Sequence, residues 1–494
     1  MTRKNTISGR AELPSTGVND QAARDTGYKW LVLIVVGVAT FMAALDGSVV
    51  NIVNPLIQRQ YAATVGDVSW VSTAYLLVIS SLLLSFGRLG DMLGYKGVYS
   101  SGFAIFGTGS LLSGLAPTLG WLVLARVFQG VGAAIMMALG PALITTSFPP
   151  FERGRALGLQ ATLTYTGLTV GPSLGGFIAG RFGWHWVFLI NVPVSVLGGL
   201  LALTLLRAAG KRTSQRFDLV GAGLLATGLT AILLGLSQGE TLGWRSPSVT
   251  GLLAGGAVTL ALFVLQEGRA AQPMMPLWLL RNRAIAGGVA SAFIQYTVVF
   301  MLMFLLPFYL LGLRTLSPEQ VGFVMTAQPA VMVAVAAFGG WLSDRVGTRA
   351  PATAGLAIIS AGVLLVSLVG TGASLPVLMA FLGLTGLGSG LFTAPNNSAI
   401  MGAAPRDRQG IAAGLLAAAR NVGMVSGIAA AGSLFAFLRG SLQQGGLAPN
   451  AAFLKAFQQT ILAAAGLAAF GAVVSFLRPA QTGEPQAGAP GGSE

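Results

Sequence analysis

The sequence predicts an all-α membrane protein of fourteen transmembrane helices, built as two pseudo-symmetric six-helix bundles with two more helices inserted between them (6+2+6). Three observations lead there: a composition too apolar for water, a Lys/Arg distribution that alternates from loop to loop, and an internal repeat. Of 494 residues, 54% are hydrophobic and only 9% charged, with a mean hydropathy of +0.74. A soluble domain carries about 25% charged residues, so this chain lacks the charge to coat a water-facing surface.

The apolar residues fall in runs of the length that crosses a hydrocarbon core as helix. The first six spans are read at 30–57, 68–88, 97–116, 119–146, 154–180 and 185–206. Spans 7 and 8 follow at 217–237 and 248–266. The last six lie at 284–311, 318–342, 350–370, 373–400, 409–438 and 453–477. The corresponding units are a polar cytoplasmic tail at 1–29, bundles at 30–206 and 284–477, a linker with two helices at 207–283, and a Pro- and Gly-rich disordered tail at 478–494. Nothing near the N-terminus has the short apolar core and small-residue cleavage site of a signal peptide, so the first span itself must insert.

Charge tests the count. With a cytoplasmic N-terminus, 21 of the 29 Lys and Arg fall in cytoplasmic segments and 5 in outer loops, leaving Arg126, Arg420 and Lys455 inside spans. A miscounted span would scramble this positive-inside bias from that point on; it holds to the end, so both termini should be cytoplasmic. The net charge of +14 is therefore a topology signal rather than a nucleic-acid footprint. There is no Cys and one His, His185, set between Trp184 and Trp186, so disulfides, thiolate metal sites and cofactor anchors are not expected.

The repeat reveals the architecture. Gly87–Lys96 joins spans 2 and 3 and Gly340–Arg349 joins spans 10 and 11; both read G-x-L-x-D-x-x-G-x-[K/R], 253 residues apart. Gly158, Gly167 and Gly171 of span 5 are echoed by Gly414, Gly423 and Gly427 of span 13, 256 residues apart. The matched loops are eight spans apart and face the same side, so two spans interrupt two parallel six-span halves. That is a transporter plan with the substrate site near the midplane between the halves.

Four motifs give the chain a family resemblance: Gly87–Lys96, Leu124–Ala134 around Arg126 on span 4, Gly167–Gly176 on span 5, and Leu45–Pro55 on span 1. Together, in this order, they resemble the major facilitator superfamily, in its fourteen-span drug:proton antiporter branch. Asn54, and the lack of a span 12 counterpart of Arg126, depart from the family pattern. The resemblance implies multidrug efflux from a bacterial inner membrane, with a lipophilic drug-like molecule and protons as partners and a monomer as the working unit.

Asp46 is the one acid placed deep within a span. A carboxyl in the bilayer is costly and is a functional candidate by default. Lipid-like surroundings favour its neutral form and a nearby cation its ionised form, so Asp46 is the expected proton carrier with Arg126 as partner. The competing reading is a carboxylate kept permanently ionised by a structural partner. Gly167, Gly171, Pro172 and Gly176 should permit kinking and close packing. Gly87, Arg88, Asp91 and Gly94, with Asp344 and Arg345, are expected to form a cytoplasmic latch in which Asp91 meets span 13 near Gln409 and Asp344 meets span 5 near Gly154.

Cavity contacts are expected from Asn51, Tyr75, Gln129, Tyr165, Gln295, Tyr296, Gln328, Asn396, Asn397 and Arg420. Proton symport, or export of one specific metabolite on the same fold, is the alternative within transport. A membrane enzyme would need a nucleophile, metal or acid–base cluster that these spans do not offer.

Overall fold

The computed structural model describes residues 26–149, 152–207, 218–239, 242–243, 245–269, 277–404 and 409–479. Both predicted tails therefore fall almost wholly outside the described residues. No strand occurs among the described residues, which form fourteen helical rods. The first six are α1 (Thr26–Tyr61), α2 (Val65–Leu93), α3 (Tyr95–Gly114), α4 (Leu119–Ser147), α5 (Arg153–Phe182) and α6 (His185–Leu205). A hairpin follows, α7 (Leu219–Gln238) and α8 (Pro247–Arg269). The rest are α9 (Arg283–Leu313), α10 (Pro318–Val346), α11 (Arg349–Ser367), α12 (Leu375–Ala403), α13 (Gln409–Gln444) and α14 (Pro449–Leu477).

Among the described residues, eleven of these rods are individually long and apolar enough to cross a membrane. Helix α3 is not one of them. In α3 the cause is packing: Gly102 and Gly109 lie so close to α4 that a methyl group would strike Ile135 or the Gln129 backbone. Small residues at such contacts let helices approach closely in a bilayer, at the expense of hydropathy. Several rods outrun the predicted spans. The 36 residues of α1 and of α13 extend about 54 Å at 1.5 Å per residue, well beyond the ~30 Å hydrocarbon core, so their ends project from it.

The repeat survives in three dimensions. Thr64 caps α2 in a reciprocal box with Asp67, and Ser317 caps α10 in the same box with Gln320, satisfying end N–H groups that have no intrahelical partner. Gly94 and Gly347, the second glycines of the two repeated loops, have φ of +94° and +82°, values that residues with a Cβ adopt only with strain. Gly130 backs onto the Tyr75 carbonyl and Gly386 onto the Gln328 carbonyl; Gly132 meets Gly102 and Phe106, and Gly388 meets Gly355 and Ile359.

The start of α1 and the end of α14 lie at one face of the bundle, here the proximal end; the α1–α2, α5–α6, α9–α10 and α13–α14 turns form the distal end. Close contacts between the halves cluster distally. Gly176 packs on Pro318 of α10 and Gly322 on Pro172 of α5, each so near a carbonyl that a side chain would collide with it. Ser173 and Thr326 share a hydrogen bond of 2.6 Å, and Arg59 Nη2 donates to the Leu311 carbonyl at 2.7 Å. Helix α7 rests against α2 and α13, while α8 packs chiefly on α7.

Candidate functional site: a buried ion pair beside a two-chamber cavity

Asp46 sits midway along α1, and Arg126 and Gln129 lie one turn apart on α4, where i and i+3 share a face. All three point into the N-terminal half and are essentially inaccessible, with exposures of 0%, 1% and 0%. Arg126 Nη1 donates to Asp46 Oδ2 at 2.6 Å and to Gln129 Oε1 at 2.6 Å, while its Nε donates to the Val71 carbonyl at 3.1 Å. Asp46 Oδ1 accepts from Gln129 Nε2 at 3.1 Å and from Asn191 Nδ2 at 2.9 Å. Gln129 Nε2 also donates to Ser110 at 2.6 Å. The guanidinium lies 3.9 Å from the centre of the Tyr75 ring, a desolvated cation–π contact worth about 2 kcal/mol.

A buried charge pair is tolerable only when its remaining hydrogen-bonding capacity is filled, and here four helices fill it. Removing either charge would strand the other. Arg126 nevertheless holds partners besides Asp46: a backbone carbonyl, the Gln129 amide oxygen and the Tyr75 ring. It therefore has something to hold if Asp46 becomes neutral.

Tyr75 is shared between this network and a central cavity. The cavity has a proximal chamber of about 120 Å³ and a distal one of about 70 Å³, whose walls share Leu168, Tyr296, Phe300 and Met424. An engineered cavity of about 150 Å³ accommodates benzene, so the proximal chamber as it stands takes about one ring. Its wall includes Gly47, next to Asp46, together with Tyr75, Met137, Arg420 and Asn421. The distal chamber is lined by Asn51, Gln295 and Gln328 and by Met303, Met325 and Met332. Methionine is flexible and polarizable, so these walls can reshape around different ligands. A second pocket near Glu319 and Leu375 lies at the distal surface, away from the charge pair.

Of the sequence-derived candidates, the structure gathers Asn51, Tyr75, Gln295, Tyr296, Gln328 and Arg420 on the cavity walls. Gln129 is not among them: the hydrogen bonds to Asp46, Arg126 and Ser110 turn it into the N-terminal half. Asn396 is likewise elsewhere, donating to the Gly288 carbonyl and accepting from Arg478 Nη1 at 2.7 Å. Asn397 is half-buried on the same helix and lines neither chamber. The Tyr165 side chain lies outside the described residues. Asn54 is fully buried, with an amide that has no hydrogen-bond partner, and lines neither chamber.

The span 5 motif divides its contacts. Gly167 and Gly171 pack on α1 at Phe41, Leu45 and Ser48, within their own half, whereas Pro172 and Gly176 face α10 across the boundary. In the repeated loops the side chains of Arg88 and Asp91 lie outside the described residues, as do the surroundings of their expected partners Gly154 and Gln409. Gly87 has open space around it. Asp344 and Arg345 are exposed, Arg345 lying 4.3 Å from the centre of the Trp341 ring.

Sequence reasoning missed Asn191, Ser110 and the methionine lining. Asn191 had a usable signal: it is the only amide residue in span 6, and a lone amide in an apolar helix needs a partner.

Two repeated halves around a central cavity, with one buried charge pair at its wall, define a multi-pass membrane carrier. Comparison with known proteins gives the family. A sequence profile described as Major Facilitator Superfamily matches residues 36–283 and 288–493. Riboflavin transporter RibZ of Clostridioides difficile (strain 630) is 36% identical over 410 residues, covering 83% of this chain and 88% of that protein. Multidrug resistance protein Stp of Mycobacterium tuberculosis (strain CDC 1551 / Oshkosh) is 33% identical, covering 82% of this chain and 76% of that protein. The crystal structure of a bacterial homolog of the human lysosomal transporter Spinster, inward-facing and unoccupied, shares the fold with a TM-score of 0.67 at 16% identity, covering 92% of this chain and 97% of that one. The chain belongs to the Major Facilitator Superfamily, whose fourteen-helix form it has.

Proposed function

We propose that the protein is a proton-coupled exporter of lipophilic small molecules in a bacterial inner membrane, with both termini cytoplasmic. The observation that carries this reading is the fully buried Asp46–Arg126 pair placed behind Tyr75, a wall of the cavity. In this orientation the distal contacts close the outside, and substrate reaches the cavity from the cytoplasm. The halves then rock to part distally, and a proton arriving through the opened cavity neutralises Asp46. Arg126 stays held by the Val71 carbonyl, Gln129 and Tyr75. Return to the cytoplasm-facing state brings Arg126 back against Asp46 and expels the proton inward. The pair thus works as a switch whose setting depends on which way the cavity faces.

The energetics are adequate. One charge crossing 100 mV supplies about 2.3 kcal/mol, and a tenfold gradient corresponds to about 1.4 kcal/mol. One proton exchanged for one neutral molecule therefore sustains roughly a fifty-fold gradient per 100 mV. The test is flux in proteoliposomes with an imposed pH gradient, wild type against Asp46→Asn. The variant should bind lipophilic dyes yet lose gradient-driven efflux; unchanged efflux would remove Asp46 as carrier.

A second reading, a dedicated carrier for one metabolite, is supported by the relative named a riboflavin transporter, at 36% identity. A substrate panel separates them: a dedicated carrier moves one compound class and ignores unrelated dyes.

A further inference from the structure

The distal chamber narrows the cargo's chemistry, an inference resting on the export reading above. None of its described lining residues is charged. An ion entering it would lose its hydration and meet no counter-charge, which is costly. What the chamber offers instead is three amide side chains: Asn51 from α1, Gln295 from α9 and Gln328 from α10. All three are buried, at 4%, 2% and 4% exposure. Asn51 Oδ1 and Gln295 Oε1 have no hydrogen-bond partner, and a buried acceptor left unpaired is costly. Nothing anchors either oxygen, and the terminal torsions of Asn and Gln are broad. Each amide can therefore turn its oxygen or its NH2 towards the chamber.

An amide presents a donor beside an acceptor. Its complement is a neutral edge of the same kind, an N–H next to a C=O, as in a cyclic amide or imide. A carboxylate supplies only acceptors and an ammonium only donors, and each brings an unmatched charge. Tyr296, Phe300 and Met424 stand at the wall shared with the proximal chamber. Aromatic rings with a polarizable thioether favour a flat π-system there.

We propose that the distal chamber is the cargo's polar subsite and takes the uncharged imide or lactam edge of a flat ring system, bonded from both halves. The placement couples grip to conformation. Asn51 belongs to the N-terminal half, Gln295 and Gln328 to the C-terminal half, and Pro172 in the chamber wall meets Gly322 at the distal closure. The full set of amides therefore holds the edge only while the halves meet distally. When they part there, Asn51 moves away from the two glutamines, the set is split and the cargo is released outward.

The test uses two probes of one shape on the purified full-length protein: naphthalimide and its N-methyl derivative, which lacks the N–H. Equilibrium binding to the wild type should favour the imide by at least about tenfold, the effect of leaving buried amide groups unpaired. Gln295→Met and Asn51→Leu keep the side-chain bulk and remove the amide. Each should lower imide affinity about tenfold and change that of the N-methyl probe less than about threefold. An N-methyl probe bound as tightly as the imide, or an imide that does not bind, overturns the proposal without any variant. So does the full preference retained in either variant when folded. The N–H preference found without proton-driven flux of the imide would sink the export reading and leave this one standing. Proton-driven flux of both probes without the preference would do the reverse.

Discussion

The two halves are the same scaffold with different interiors. Glycine contacts set their register: Gly109 packs on the Gln129 backbone as Gly362 packs on that of Thr385, and Gly171 faces the Leu45 carbonyl as Gly427 faces that of Thr297. Counting from these pairs, Asp46, Tyr75, Arg126 and Gln129 correspond to Val298, Gln328, Leu382 and Thr385. Val298, Leu382 and Thr385 are each fully buried. The N-terminal half thus carries a charge pair where the C-terminal half carries two aliphatic side chains. Since Val298 and Leu382 fill the same positions in the same architecture, the charges are not required to build a half. On the proposed reading they serve proton coupling instead.

That contrast can be broken outright. Arg126→Leu alone leaves Asp46 buried beside Gln129 and Asn191 with no cation, and should cost about 3–5 kcal/mol of stability as well as proton-driven flux. Denaturant unfolding in detergent checks the first and proteoliposome transport the second. The double change Asp46→Val with Arg126→Leu, which copies the C-terminal half into the N-terminal one, should return stability to within about 1 kcal/mol of wild type or above it. Flux should stay abolished. A double variant as unstable as the single one would mean the pair is structural.

The distal boundary gives the next effect in size. Gly176→Val drives a branched side chain onto the Pro318 carbonyl, and the halves should part there. Spin labels placed across the distal end should report a longer separation than in wild type, whereas Gly158→Ala, at a position with open space around it, should leave it unchanged.

The smallest effect belongs to the C-terminal half's own polar cluster. Arg478 is buried at the proximal end, where it donates to Asn396 and to the Thr348 carbonyl. Burial, with Arg349 nearby, pushes its pKa down to about 10, so it is still charged at neutral pH. Arg478→Ala strands the Asn396 and Thr348 oxygens and should cost about 1–3 kcal/mol, read in the same unfolding assay. Efflux driven by a pH gradient should persist.

How much of this was legible in the sequence follows from the physics of the bilayer. Helix count and repeat depend on composition, on Lys/Arg placement and on glycines that touch neighbouring backbones, and all three are written in residue identity. The partnership of Asp46 and Arg126 was legible because few charges lie deep within spans. The facing of neutral polar residues was not. In water, an apolar stripe marks the buried side of a helix; in lipid, the outward face is as apolar as the core, and the periodic signal vanishes. Gln129 could equally have faced the cavity, and Asn396 too; their bonds to Asp46 and to Gly288 and Arg478 are decided by neighbours from other helices. The methionine walls were invisible for the same reason, since Met303 or Met332 reads as one more apolar residue.

The central claim is that the Asp46 carboxyl gains and loses a proton. Infrared difference spectroscopy of the reconstituted protein, wild type against Asp46→Asn, observes that group itself. A protonated-carboxyl band that grows as the pH falls in the wild type and is missing from the variant is the expected result. Identical spectra for the two proteins across the pH range would contradict it.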